Sequence, residues 1–231
     1  MPVALVYPNT YSVGMSSLGF QLVYSLLNRQ EELVCERFFL PEKGEKFLSL
    51  ESGRSLDQFP LVFLSISFEH DYINLVQLLS IAGIPPFAQE RGAEVTGENP
   101  LVICGGVATF INPEPLAPFI DLFFIGEAEA GFVQVVSSLA ENYSNANRNQ
   151  LIEKVARDFD GCYAPLLYTP VYDDAGNQTG MEYDSSLPFP IKRVSLARCE
   201  KANHSQLLTP ETEFSNLFLA ELGRGCSRGC R

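Results

Sequence analysis

The chain has 231 residues, 46% of them hydrophobic, enough for one sizeable core with an appendage, and a formal net charge of -12. That charge argues against a nucleic-acid or anionic-membrane surface over the whole chain, because either needs clustered Lys and Arg to meet phosphates. The longest apolar runs, such as Leu61 to Ile66 and Leu122 to Ile125, are strand-sized and fall far below the roughly 20 residues of a membrane helix. The opening Met1-Pro2-Val3-Ala4-Leu5-Val6-Tyr7 lacks the basic region, long apolar stretch and small-residue cleavage site of a secretory signal. The expected location is therefore the cytoplasm, with no membrane partner and no indication of nucleic acid.

In chain order, the first half alternates β-rich runs with helical patterns, which predicts βαβ units and a mostly parallel sheet. Strands are expected at Val3 to Tyr7, Val34 to Leu40, Leu61 to Ser67, Leu101 to Cys104 and Asp121 to Ile125. Each is a near-continuous apolar run, as a strand covered on both faces requires. Ser17 to Asn28, Tyr72 to Ala82 and Glu129 to Tyr143 carry apolar residues at helical spacing. The fold expected is α/β and doubly wound, a five-stranded mostly parallel sheet with a small β-rich C-terminal appendage.

Beyond about residue 145 the pattern changes. Asn145 to Gln150 reads as a polar linker or helix start and Leu151 to Phe159 as a short amphipathic helix. Tyr163 to Tyr172 and Thr179 to Tyr183 flank Asp173-Asp174-Ala175-Gly176-Asn177, turn chemistry that predicts a hairpin. Ser195 to Pro210 reads as an extended connector, and Asn216 to Glu221 as a final strand. The expected division is an α/β domain over 1–145, a helix-and-hairpin linker region over 146–215, and a last strand with a loop over 216–231.

In an open parallel sheet, ligands bind beyond the carboxyl ends of the strands. The candidate binding residues are Asn9, Thr10, Tyr11 and Gly14 after the first strand, Ser65, Ser67 and Glu69 at the third, Gly105 and Gly106 at the fourth, and Gly126 and Glu127 at the fifth. None of these stretches is a GxGxxG or Walker loop, so Gly105 and Gly106 read equally as turn glycines. Glu127 and Glu129 open a helical pattern, where acidic residues also suit the helix dipole. His70 and His204 read as solvated residues, too few for a histidine-rich metal site.

Cys35, Cys104, Cys162 and Cys199 stand singly among apolar or strand-like residues and read as reduced packing cysteines. Cys226 and Cys230 differ. They stand four apart in Leu222-Gly223-Arg224-Gly225-Cys226-Ser227-Arg228-Gly229-Cys230-Arg231, with three arginines and no acid. Thiolates are the usual iron–sulfur ligands, glycines let a chain wrap a cluster, and guanidinium groups lower thiol pKa values. A structural zinc site wants four ligands, and no second close pair completes it.

These residues resemble the radical S-adenosylmethionine superfamily, whose hallmark is Cys-x-x-x-Cys-x-x-Cys after the first barrel strand. The third cysteine would fall two positions beyond Arg231, so the resemblance implies a chain cut inside the motif, with the barrel missing. The residues before it, through Pro8 to Met15, Ser65 to Glu69, Gly105 to Ala108 and Gly126 to Glu129, resemble the cobalamin-binding-like, Rossmann-like N-terminal domain of an uncharacterised subgroup. The resemblance implies a four-iron, four-sulfur cluster on Cys226, Cys230 and one further cysteine, S-adenosylmethionine as co-substrate, a reductant, and the missing barrel as partner. It implies no catalysis by the residues given. Cobalamin domains with a histidine on cobalt carry Asp-x-His-x-x-Gly after the first strand; here that loop has no histidine, so any cobalamin would bind without one. Two other readings stay open: a stand-alone module for a corrinoid or nucleotide-like ligand, and a cap that docks through an exposed apolar face near Leu166, Leu167 and Tyr168.

Overall fold

The computed structural model describes residues 1–144, 147–198 and 202–224. In chain order the elements are β1 (Pro2–Tyr7), α1 (Tyr11–Met15), α2 (Leu18–Asn28), β2 (Val34–Phe39), β3 (Leu61–Ser65), α3 (Asp71–Ile81), β4 (Leu101–Gly105), α4 (Val107–Ile111), β5 (Leu122–Phe124), α5 (Phe132–Asn142), α6 (Arg148–Asp158), β6 (Cys162–Tyr163), β7 (Tyr168–Tyr172) and β8 (Gln178–Tyr183). Local chemistry starts the main helices. Ser17 Oγ accepts from Phe20 N to cap α2, and Asn147 with Gln150 forms a reciprocal capping box on α6.

The main sheet has the order β2-β1-β3-β4-β5-β6. Its first five strands are parallel, with β1 pairing β2 from Pro2–Val34 to Tyr7–Phe39 and β3 pairing β4 from Leu61–Leu101 to Ser65–Gly105. The chain leaves β1 in one direction for β2 and crosses back over β1 to reach β3. Right-handed connections therefore put α2 and α3 on opposite faces, so the sheet is doubly wound with its switch point between β1 and β3. Val3 to Tyr7, Leu61 to Leu64 and Leu101 to Cys104 are all buried, which explains the unbroken apolar runs.

Three differences from the sequence reading concern the second half. A sixth strand, Cys162–Tyr163, joins β5 in antiparallel register, so Tyr163, expected to open the hairpin, helps to close the edge of the main sheet instead. Pro165 opens a 3-10 turn that separates them from the β7–β8 hairpin. Tyr168 is buried, packed between Tyr163, Tyr183 and Phe189, with its hydroxyl donating to Pro188 O at 2.9 Å; the apolar face expected there is already covered in part. Asn216 to Glu221, expected as a final strand, joins no sheet. Only Ala220 makes a bridge, antiparallel to His204, because the segment meets another loop rather than a sheet edge.

At the amino-terminal end of β4 and β5, the buried Asp121 carboxylate accepts at Oδ2 from Arg91 Nη1 at 2.7 Å and Val102 N at 2.7 Å, and Arg148 Nη1 lies 3.1 Å from the same oxygen. The two guanidinium groups also donate to carbonyls of Pro85, Pro86, Phe119, Gly92, Asn99 and Pro100. This knot ties α6 and the 85–100 segment to the sheet, and no local sequence pattern announces it.

Candidate functional site

Strand pairing builds the site's floor. Leu5, Phe63 and Ile103 are direct neighbours across β1, β3 and β4, and two residues further along Ser65 pairs with Gly105. Residues two apart on a strand share a face, so these side chains form two successive rows on one face. Over them lies a cavity of about 550 Å3, walled by Leu18, Leu22 and Val23 of α2, Phe110 of α4 and Phe132 of α5. Its volume falls within the range of small-molecule and cofactor sites, and its position at strand carboxyl ends is the expected one for this sheet class.

Of the candidate residues, Ser65, Ser67, Gly105, Gly106, Gly126 and Glu127 line this cavity. Asn9, Thr10, Tyr11, Gly14 and Glu69 do not. Asn9 Nδ2 donates instead to Asp71 Oδ1 at 2.8 Å, joining the ends of β1 and β3. Asp71 is buried, its second oxygen has no partner among the described residues, and burial pushes its carboxyl up, with the Asn9 hydrogen bond opposing. Tyr11 packs edge-on against Phe39, and a Cβ on Gly14 would meet the same ring at 2.5 Å.

The glycines separate by cause. Gly106 has φ +116, and a Cβ there would lie 2.3 Å from Ile66 O; one on Gly126 would lie 2.2 Å from Val194 Cγ2. Backbone geometry or packing requires both. Gly105 is different: its Cβ would meet only Phe124 O, at 3.5 Å, and the space it leaves belongs to the cavity.

The mouth of the cavity holds an ion cluster drawn from four segments. Arg224 Nε donates to Glu221 Oε1 at 2.6 Å, Nη1 lies 3.0 Å from Glu127 Oε2, and Nη2 donates to Glu129. Asn203 Nδ2 donates to Glu129 Oε1 at 2.8 Å and Glu221 Oε2 at 3.0 Å, while Leu196 N donates to Glu127 Oε2 at 2.8 Å. Arg193 sits over the Phe110 ring, 4.8 Å from its centroid. Burial pushes the Glu129 carboxyl up, but hydrogen bonds from Arg224 and Asn203 outweigh it and hold it below its ordinary value. Arg224 likewise lowers Glu221, and the two carboxyls raise the Arg224 guanidinium. The acidic residues that open the α5 region thus serve as partners of an arginine far along the chain. Sequence reading missed Arg193, Asn203 and Glu221, and no spacing signal could have found them.

Cys226, Cys230 and Cys199 lie outside the described residues. Cys35, Cys104 and Cys162 are free and buried on β2, β4 and β6. Burial pushes their thiols up, Cys162 to about 12, so they are neutral packing groups. Among the described residues no group of three His, Cys, Asp or Glu is arranged to hold a metal. No described helix is long and apolar enough to cross a membrane.

Fold and site together define an open α/β domain with a ligand-sized cavity at its switch-point end and an arginine lock at the cavity mouth. Residues 19–165 match the family model described as radical SAM proteins, N-terminal, and the chain belongs to that family. It is also 23% identical, over 233 residues, to an uncharacterized protein of Methanocaldococcus jannaschii; the match covers 99% of this chain and 40% of that protein. The chain thus spans less than half the length of the curated relative it matches. No solved structure matches it.

Proposed function

We propose that these residues are the N-terminal part of a radical S-adenosylmethionine enzyme, with Cys226 and Cys230 as two of the three thiolates that hold a four-iron, four-sulfur cluster. The family match over residues 19–165 carries this reading, and the Gly- and Arg-rich cysteine pair that follows agrees with it. Such a cluster, when bound and reduced, supplies the electron that cleaves S-adenosylmethionine to methionine and a 5′-deoxyadenosyl radical; the protein's part is binding, orientation and exclusion of water. The α/β domain is non-catalytic in this reading. Its partners are the barrel that carries the third cysteine and a cytoplasmic reductant.

The test is anaerobic iron–sulfur reconstitution of the full-length protein beside a Cys226→Ala, Cys230→Ala double variant. About four irons per chain, lost in the variant, is the expected result. Absence of iron from the wild type would sink the proposal.

The cavity supports a second role within the same protein, the binding of a nucleotide-like or corrinoid ligand with its apolar part over Leu5, Phe63 and Ile103. Neither histidine of the chain lines the cavity, so a corrinoid would bind there without a histidine on cobalt. Titration with hydroxocobalamin and with ATP, read by absorbance and calorimetry, tests this role. A saturable response to either supports it, and silence from both counts against it.

A further inference from the structure

We infer that Glu127, Glu129 and Glu221 are positioning residues: they lock Arg224 and so fix the point at which the cysteine loop leaves the α/β domain. The inference rests on the radical-enzyme reading for its purpose, but its geometry stands independently. Arg224 precedes Cys226 by two residues. Its guanidinium is shared by three carboxylates, two of them from the segment directly after β5, which is anchored in the core of the sheet. A planar guanidinium held from three sides has its direction fixed as well as its distance.

The carboxylates are themselves held. Leu196 N and Asn203 Nδ2 satisfy further lone pairs, and Glu221 N donates to Asn203 O at 2.8 Å. Upstream, the same arm is moored where Gln206 N and Leu207 N donate to Gln21 Oε1 at 3.0 and 3.2 Å. Gln21 is buried on α2 and passes the restraint to Met15 O. The arm is thus tied at α2 and at the β5 loop, with the cavity mouth between. Arg224, Glu127, Glu129 and Glu221 also line the cavity, so the start of the cysteine loop forms part of the wall of the ligand space.

Hydrogen exchange on the full-length protein tests the lock directly. In a Glu129→Gln, Glu221→Gln double variant, amides of residues 219–224 are expected to exchange roughly tenfold faster than in the wild type, while those of β1, β3 and β4 keep their protection. In reconstituted protein, the same variant should keep its iron but show an altered electron paramagnetic resonance signal on adding S-adenosylmethionine. A Glu153→Gln variant removes a remote, more exposed ion pair on α6 and, as a control for loss of a carboxylate charge, should change neither readout. Wild-type exchange at 219–224 in the double variant would overturn the inference, whether or not the protein binds iron. Absence of iron from the wild type would overturn only the radical-enzyme reading.

Discussion

The two ends of the main sheet each hold a cluster in which arginine meets carboxylate, and the clusters differ in burial. At the amino-terminal end, the side chains of Arg91 and Asp121 are fully buried and that of Arg148 nearly so; both guanidinium groups and the Val102 N–H converge on Asp121 Oδ2, while Oδ1 has no hydrogen-bond partner among the described residues. At the carboxyl end, Arg224 keeps 26% of its side chain exposed and its three carboxylates between 14% and 19%. Similar chemistry therefore serves two ends. Removing one partner from a buried pair strands a charge where water cannot reach it, whereas a partly solvated cluster can exchange a lost partner for water. The first cluster holds the domain together; the second fixes a direction at modest energetic cost.

The largest effect expected from this contrast is at Asp121. Asp121→Ala leaves two buried guanidinium groups without their carboxylate and should cost about 3–5 kcal/mol, a fall in Tm on the order of 10 °C for a chain of this size. Thermal unfolding by circular dichroism measures it; a loss under about 1 kcal/mol would erase the distinction between the two ends.

A smaller effect is expected at Gly105. Gly105→Leu places a side chain in the cavity, where its Cβ meets only Phe124 O, so Tm should move by no more than a few degrees while any response to hydroxocobalamin or ATP disappears. Severe destabilisation would mean that the space is closed in solution.

The smallest effect is on pH dependence. Because the Glu129 and Glu221 carboxyls are lowered in the fold, their contribution is fully present above the ordinary carboxylate range and is lost as pH falls through their depressed values. Asp71 works the other way: burial raises its carboxyl, so its protonation on acidification favours the fold. Limited proteolysis between pH 7 and about pH 3 should therefore release the 206–224 arm before the sheet opens. Simultaneous loss of arm and sheet would show that the lock is no weaker than the core.

The central parallel strands β1, β3 and β4 were legible because they are buried on both faces and so read as unbroken apolar runs; Val3 to Tyr7 and Leu61 to Ser65 fall almost where the sequence placed them. The short edge strand Cys162–Tyr163 was not, since two residues carry no period and their pairing depends on where β5 lies. Asn216 to Glu221, expected as a strand, misled in the opposite sense: it has no sheet edge to join, and only Ala220 bridges, to His204. In the site, glycine-rich strand ends pointed to the end of the sheet where the cavity lies. They could not separate Gly126, needed for the approach of Val194, from Gly105, which leaves open space.

The sequence alone determined the α/β class, most strand positions and the spacing of the cysteine pair, because apolar run length, turn chemistry and residue spacing are all local along the chain. Tertiary structure alone decided the cavity and the lock. A cavity is the space left between α2 and α5 over the sheet, which no single segment encodes. Glu129 and Arg224 stand 95 residues apart, and only the folding of the arm back across the strand ends brings the acidic pair and the arginine together.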